Sequence, residues 1–177
     1  MIDESLINIH TGTTFSVSKK EYTINTDKDT QDVSILSFVG GGGYENYKPH
    51  FVAWFNDCDG CNVNTCFDDL TYGDVLVVGL GLGCIPEYIR QEKSFTSIDV
   101  VEDTQELIDY VNFLHSDINI IKAENIETYT PSKKYDLILI EYYHDSNDLN
   151  EESLKLNYQD HLKSGGKIVL PINNKIL

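Results

Sequence analysis

Three glycines alternate with apolar residues in the part of this sequence best suited to holding a small ligand. Gly79, Gly81 and Gly83 follow the run Asp74–Val78, which is apolar after its first residue. Glycine lets the backbone approach a ligand closely, and a helix that begins after such a loop offers free N–H groups. The dinucleotide fingerprint is Gly-x-Gly-x-x-Gly, and Cys84 stands here in place of its third glycine. This spacing argues against a binding site for NAD or FAD. The alternative to a ligand-binding loop is a tight turn between strand and helix that binds no ligand.

Acidic residues follow the next apolar strand along the chain. Glu102 and Asp103 come directly after Val100-Val101, one helix and one strand beyond the glycines. An acidic side chain at such a strand tip can accept hydrogen bonds from a ribose diol. We therefore expect Glu102 to bind a ligand. Asp103 is also a suitable N-cap for the next helix, so capping alone is the alternative for that residue.

The elements that must position these groups alternate between strand and helix after Gly73. Apolar strands bounded by turns, and apolar residues at helical spacing, predict them. In order they are strand Asp74–Val78, helix Cys84–Gln91, strand Phe95–Val101, helix Thr104–His115, strand Ile118–Ile121, strand Tyr135–Ile140, helix Asn147–Leu162 and strand Lys167–Ile172. This alternation predicts an α/β fold, with a Rossmann-like, doubly wound parallel sheet of about five strands in residues 73–177. Such sheets bind ligands at the carboxyl ends of their strands.

The first part of the chain, residues 1–72, has a different character. Short runs rich in β-branched and aromatic residues are separated by turn residues, including four consecutive glycines at 40–43. The runs are Thr13–Val17, Glu21–Asn25, Asp32–Val39 and His50–Phe55. We expect a small antiparallel β segment that precedes the parallel sheet.

Four segments together resemble the successive motifs of class I S-adenosylmethionine-dependent methyltransferases. They are Val77–Gly83, Val100–Asp103, Lys134–Glu141 and Leu162–Leu170. Within that superfamily the chain is most similar to the spermidine synthase group, which also has an apolar residue before the glycines and a Val-Glu pair at the second strand tip. The resemblance implies S-adenosylmethionine, or its decarboxylated form, as cofactor. The superfamily fold adds two strands after the fifth, so a C-terminally truncated version of it is expected.

The resemblance also implies a role for individual residues. Gly79, Gly81 and Gly83 would line the methionine and ribose part of the cofactor, Glu102 would hold the ribose hydroxyls with Asp103 beside it, and Glu124 or Asn125 would lie beside the adenine amino group. Glu141 would face the methionine end or a substrate amine.

The stretch after the fourth strand supplies the candidates for catalysis. Glu141 and His144 are the candidate bases, since histidine can take a proton near neutral pH. Tyr142 would form a wall of the cofactor or substrate site. An exposed loop histidine without function is the alternative for His144. The spermidine synthases have an Asp-rich stretch here, whereas this chain has Glu141 and later acids that are out of register.

The resemblance implies transfer of a methyl or aminopropyl group to a small acceptor. An acidic site would suit an amine acceptor, because carboxylates pair with cations. Two alternatives remain open. One is another reaction of the same cofactor, such as elimination by a lyase. The other is a catalytically inactive protein of the methyltransferase fold that acts as a binding partner or decoy.

Composition narrows the classes of partner. The formal net charge of −16 disfavours general nucleic-acid binding. No apolar run is long enough to span a membrane and no signal peptide is recognisable, so we expect a cytoplasmic protein. Cys58, Cys61, Cys66 and His50 could hold zinc, but their spacing fits no standard site, so free thiols and no metal are expected. An apolar last strand near a sheet edge predicts a homo-oligomer.

Overall fold

The computed structural model describes residues 8–12, 14–23, 30–38, 73–92, 94–140, 151–170 and 175–176. The strands are β1 (His10–Thr11), β2 (Phe15–Thr23), β3 (Thr30–Phe38), β4 (Asp74–Val78), β5 (Ser97–Glu102), β6 (Ile118–Lys122), β7 (Tyr135–Ile140), β8 (Leu162–Leu170) and β9 (Lys175–Ile176). The helices are α1 (Cys84–Glu92), α2 (Gln105–Tyr110) and α3 (Glu151–Gln159), with a 3₁₀ turn at Ile126–Thr128.

The larger sheet has the strand order β6-β5-β4-β7-β8-β9. Its first five strands are parallel, which confirms the α/β prediction. The sixth strand, β9, was not foreseen; it runs antiparallel to β8 and pairs with Val169 and Leu170. The order of the strands reverses at β4, because the chain places β5 and β6 on one side of it and β7 and β8 on the other. Ligands of open α/β sheets bind at such a switch point.

Both faces of this sheet are covered by apolar side chains, as expected for parallel strands. One core packs α1 and α2 against the sheet, and Leu80, Ile89 and Leu107 are fully buried in it. The opposite core contains Ile126, Tyr135 and Tyr158. Tyr158 of α3 donates a hydrogen bond to the Ile126 carbonyl at 2.8 Å, which fastens α3 to the 3₁₀ turn.

Residues 10–38 contain a separate three-stranded antiparallel sheet with the order β1-β2-β3. Parts of the two predicted strands Thr13–Val17 and Glu21–Asn25 lie in a single strand, because Phe15–Thr23 pairs without interruption with Thr30–Phe38. No glycine or proline lies between the two runs to break the ladder. The predicted strand at 50–55, the four glycines and the cysteine cluster at 58–66 lie outside the described residues.

Two predicted helices extend too far. The helix predicted over 104–115 ends at Tyr110, because Val111 leaves helical geometry, with φ −86° and ψ 35°. The helix predicted over 147–162 spans Glu151–Gln159 among the described residues, and Leu162 instead pairs with Tyr135. Strand β8 therefore starts five residues before the predicted Lys167, with an irregular register where Gly165 adopts φ 82°. Local apolar spacing could not reveal this pairing, since it depends on a distant strand.

The amino ends of the strands are joined by charged groups. The Nζ atom of Lys163 in β8 lies 2.6 Å from a carboxylate oxygen of Asp74 in β4 and 2.8 Å from one of Asp136 in β7. The hydrogen bonds from Lys163 hold the pKa values of both carboxyls below their usual range. Beside them, Lys133 contacts Asp99 of β5 at 2.8 Å. This charged edge lies at the end of the sheet opposite the glycine loop.

None of the helices among the described residues combines the length and the apolar character needed to cross a membrane.

Candidate functional site

The loop after β4 is built on three left-handed glycines. Gly79, Gly81 and Gly83 have φ values of 97°, 51° and 78°, which side-chain-bearing residues rarely adopt. The Gly79 amide donates to the Val101 carbonyl of β5 at 2.9 Å. The loop then closes with a hydrogen bond from the Gly83 amide to the Leu80 carbonyl, also 2.9 Å long. Alternating glycines are therefore a conformational requirement of the turn from β4 into α1.

Gly83 has a second, purely structural reason to lack a side chain. A Cβ built on it would lie 2.8 Å from Leu114 and 2.9 Å from Val111. Both residues follow α2, so Gly83 permits the start of α1 to pack closely against that segment. The third glycine therefore has a packing role, in addition to the ligand contact that the resemblance implies.

Glu102 is buried at the tip of β5, with 4% of its surface exposed. One carboxylate oxygen accepts the Leu80 amide of the glycine loop at 3.0 Å. The other accepts the amides of Asp103 and Thr104 at 2.9 and 2.8 Å. The side chain therefore joins the glycine loop to the turn that leads into α2.

The charge state of Glu102 reflects this position. Burial raises its pKa, the backbone hydrogen bonds from Leu80 and Thr104 oppose the rise, and the neighbouring charge of Asp103 adds to it. The net effect is a pKa above the usual value for glutamate. An acidic group with a perturbed pKa at a sheet switch point is typical of a functional site.

Asp103 is not the N-cap that the sequence suggested. Thr104 occupies the N-cap position of α2, and its carbonyl accepts the amides of Leu107 and Ile108, both at 3.1 Å. The carboxylate of Asp103 instead accepts the Ile126 amide at 3.3 Å, across the sheet edge in the 3₁₀ turn. Thr104 is itself a residue type common at N-caps, so the position could have been read one residue later.

The residues after β6 lie at the same edge. The Asn125 side chain caps the 3₁₀ turn by accepting the Glu127 amide at 2.7 Å. Glu124 and Asn125 are exposed. The Ala123 amide extends the pairing with β5 by donating to the Glu102 carbonyl at 2.9 Å. The tips of β5 and β6 therefore bring Glu102, Asp103 and the 124–125 pair together, and binding of adenine by that pair stays a prediction.

The predicted catalytic segment follows β7. Glu141, Tyr142 and His144 lie outside the described residues. The last residue of β7, Ile140, pairs with Val78, the residue directly before Gly79. The roles proposed for the three residues stay predictions.

No protein-family model and no curated protein matches this chain. Among solved structures, the DhpI-SAM-HEP complex matches with a TM-score of 0.52 and 14% identity, over 61% of this chain and 50% of that chain. The fold is that of the class I methyltransferases. The DhpI-SAH complex matches with a TM-score of 0.49, 14% identity and coverage of 61% and 52%. An S-adenosylmethionine-dependent methyltransferase from Clostridium acetobutylicum matches with a TM-score of 0.46, 21% identity and coverage of 61% and 46%.

The aligned part of the chain thus corresponds to about half the length of these methyltransferase-fold structures. At 14% identity, the match to the DhpI-SAM-HEP complex establishes a shared fold. The glycine loop and the tips of β5 and β6 lie at the edge where such a sheet binds its ligand.

Proposed function

We propose that this chain binds S-adenosylmethionine at the carboxyl edge of its parallel sheet and is a methyltransferase acting on a small acceptor. The observation that supports this most strongly is the hydrogen bond between the buried Glu102 carboxylate and the Leu80 amide. It places an acidic group against the glycine loop in a methyltransferase fold. The DhpI-SAM-HEP complex, whose name includes SAM, supports the same ligand.

The residues at this edge fit the proposed ligand chemically. Gly79 and Gly81 have no side chains and positive φ values, which leaves room for a ligand to approach the backbone closely at these two positions. The carboxylates of Glu102 and Asp103 are acceptors for hydroxyl groups. They also suit a ligand that is positively charged, as a sulfonium compound is. The cofactor, when bound, would supply a methyl group that the positive sulfur already activates.

The chain's own contribution would be to position the reactants and to accept a proton. Orienting two reactants can lower a barrier by about 7–11 kcal/mol, and an activated donor needs little further help. The glycine loop and Glu102 would fix the nucleoside end. A base is required if the acceptor must lose a proton, and Glu141 and His144 are our candidates.

The finer assignment concerns the acceptor. The acidic composition and the cluster of carboxylates favour a small amine, the substrate type of the spermidine synthase group that the sequence resembles. With decarboxylated S-adenosylmethionine the transferred group would be aminopropyl. We place methyl transfer first, because the DhpI-SAM-HEP complex of similar fold is named with S-adenosylmethionine itself.

Product analysis tests this proposal. The protein is incubated with S-adenosylmethionine and a set of small primary and secondary amines, with heat-inactivated protein as the control. Methyl transfer predicts S-adenosylhomocysteine and a methylated amine in equal amounts. Formation of 5′-methylthioadenosine instead would indicate elimination and would contradict methyl transfer. Binding without any turnover of these amines would contradict the amine acceptor and favour an inactive binding protein.

A further inference from the structure

Helix α2 contacts the N-terminal part of the chain as well as the larger sheet. In its first turn, one carboxylate oxygen of Glu106 accepts two hydrogen bonds from Thr14, one from the amide at 3.1 Å and one from the hydroxyl. Four residues later, the Tyr110 hydroxyl donates to the Asn8 carbonyl at 2.6 Å. Residues four apart lie on the same face of a helix, so both contacts are made by one side of α2.

The residues that α2 holds lead into the small antiparallel sheet. We call residues 8–12 together with Thr14 the N-terminal segment. It contains β1, which pairs with Ser16 and Val17 of β2 and is an edge strand of the order β1-β2-β3. Its hydrogen bonds to Glu106 and Tyr110 lie at solvent-exposed positions. Exposed bonds of this kind open at a lower free energy than those of a buried core, so docking of the segment on α2 is a local equilibrium.

The same helix is fastened to the glycine loop at both of its ends. At its start, the Thr104 amide donates to the Glu102 carboxylate, which also accepts the Leu80 amide of the loop. After its end, Val111 and Leu114 pack so closely against Gly83 that no Cβ would fit there. The position of α2 and the position of the glycine loop therefore depend on each other.

We propose that ligand binding at the glycine loop and docking of the N-terminal segment on α2 stabilise each other. This inference rests on the proposed function, since it assumes that the loop binds a ligand. A ligand on the loop restrains the turn in which α2 begins, and the contacts with Thr14 and Asn8 require α2 in that position. Glu106 and Tyr110 are then positioning residues that act through the helix. Because linkage is reciprocal, docking must raise ligand affinity by the same factor as the ligand favours docking.

Hydrogen exchange measures the docking directly. Exchange of the amides in residues 8–14 is followed by mass spectrometry, without ligand and with S-adenosylhomocysteine at saturation. The ligand should slow this exchange about fivefold or more, as expected for two coupled sites. Calorimetry on the same proteins gives the dissociation constant of S-adenosylhomocysteine.

Two substitutions remove one anchor each. Glu106→Ala removes the acceptor of Thr14, and Tyr110→Phe removes the donor to Asn8 while keeping the ring, which packs edge-on against Phe113. Each should speed exchange of the N-terminal segment about threefold or more in the unliganded protein, as expected for one lost hydrogen bond.

The two substitutions combined should weaken S-adenosylhomocysteine binding about fivefold or more, because the docked state is then populated less. Tyr110→Phe alone should also weaken binding, by a smaller factor. Tyr110 lies about 9 Å along the helix axis from Thr104, so its effect on affinity reports docking and not a contact with the ligand.

A matched control lies on the same helix. Asp109 is exposed between the two anchors in sequence and accepts a hydrogen bond from Gln105 of α2. Asp109→Ala should leave both the exchange of the N-terminal segment and the dissociation constant unchanged. Thermal unfolding checks that each variant is folded. If Glu106→Ala is not, Thr14→Ala removes the hydroxyl partner from the other side of the same contact.

Several results would overturn the inference while leaving the proposed function intact. One is unchanged exchange of residues 8–14 in a wild type that binds S-adenosylhomocysteine. Another is a double variant that exchanges faster yet binds this ligand as tightly as the wild type. Weaker binding in Glu106→Ala without any weakening in Tyr110→Phe would indicate a direct ligand contact instead of linkage. If the wild type does not bind S-adenosylhomocysteine or S-adenosylmethionine, the proposed function and the inference fail together.

Discussion

The carboxylate of Glu102 has two tasks, since it fastens two loops together and lies where a ribose is expected. A ligand-binding side chain at a strand tip would by itself be expected to matter for binding and little for stability. The three amides that it accepts change that expectation, because each would lose its partner inside the protein.

We therefore expect Glu102→Gln to lower the free energy of unfolding of the unliganded protein by about 1–3 kcal/mol. A glutamine accepts on one oxygen, so its NH₂ group must face either the Leu80 amide or the amides of Asp103 and Thr104. Urea unfolding measures the change. The exposed Glu124→Gln is the matched control and should shift stability by less than about 0.5 kcal/mol. Equal stability of Glu102→Gln and the wild type would show that the amides do not depend on this carboxylate.

At the scale of the elements, the turn from β4 into α1 depends on glycine for two separable reasons. Gly83 combines a left-handed φ of 78° with contacts that leave no space for a Cβ. Gly165, in the irregular stretch of β8, has a similar φ of 82° but no atom within 4 Å of the Cβ position. Substitution of Gly165 therefore tests backbone strain alone, whereas substitution of Gly83 tests backbone strain together with steric crowding.

Gly165→Ala should destabilise the protein by about 1–2 kcal/mol, the cost of a left-handed alanine. Gly83→Ala should cost about 2–5 kcal/mol in total, because crowding against Val111 and Leu114 is added. Thermal or urea unfolding of both variants gives the comparison. If the two substitutions cost the same, the packing of α1 against the residues after α2 is looser than the structure shows.

The elements also show what the sequence could and could not predict. Strands β4 and β7 were predicted with their observed bounds, because continuous Val, Leu and Ile runs leave little ambiguity. The end of α2 at Tyr110 and the early start of β8 were missed. Both are set by tertiary partners: Val111 packs beside Gly83, and Leu162 pairs with Tyr135. The spacing of apolar residues along one segment contains no information about either of these contacts.

The candidate site, like the fold, was predicted from the sequence only in part. The glycine spacing and the acid at the second strand tip singled out the loop and Glu102, and a 3.0 Å hydrogen bond from the Leu80 amide joins the two. Their roles toward a ligand stay predictions. The sequence did not show that this carboxylate faces backbone amides, nor that Asp103 reaches the 3₁₀ turn after β6. Those contacts depend on how two strand tips lie side by side, which spacing along the chain does not specify.

At the scale of the whole molecule, the charged edge at the amino ends of the strands should make stability depend on pH. Lys163 holds the pKa values of Asp74 and Asp136 below the usual 3.8. A carboxyl whose pKa is lower in the folded state stabilises the protein above its unfolded pKa, and this stabilisation disappears as the pH falls through the folded value. The contribution of Lys163 is thus present at neutral pH and lost in the acid range below 3.8.

Lys163→Met should therefore be less stable than the wild type at pH 6, and the difference should shrink as the pH falls below the usual carboxyl value of 3.8. Urea unfolding at a series of pH values measures it. Lys134→Met, at an exposed position, is the control and should show no such trend. If Lys163→Met and the wild type differ in free energy of unfolding by the same amount at every pH, then Lys163 stabilises the protein through packing and not through its charge.

The antiparallel sheet of β1, β2 and β3 bears on association. In the described residues, β3 is a nine-residue edge strand, and such an edge is a template for pairing with another chain. We expect a two-fold dimer, the commonest symmetric arrangement. Light scattering at physiological salt should give twice the mass of one chain, since salt screens the repulsion between chains of net charge −16. A single-chain mass throughout the micromolar range would contradict the prediction.

The central claim is that this methyltransferase-fold chain binds an S-adenosyl ligand, and a ligand-dependent unfolding experiment tests it most directly. S-adenosylhomocysteine at 100 times its dissociation constant should raise the free energy of unfolding by about 2.7 kcal/mol, whereas NAD at the same concentration should leave it unchanged. Stabilisation by NAD, with none by S-adenosylhomocysteine, S-adenosylmethionine or its decarboxylated form, would contradict the account.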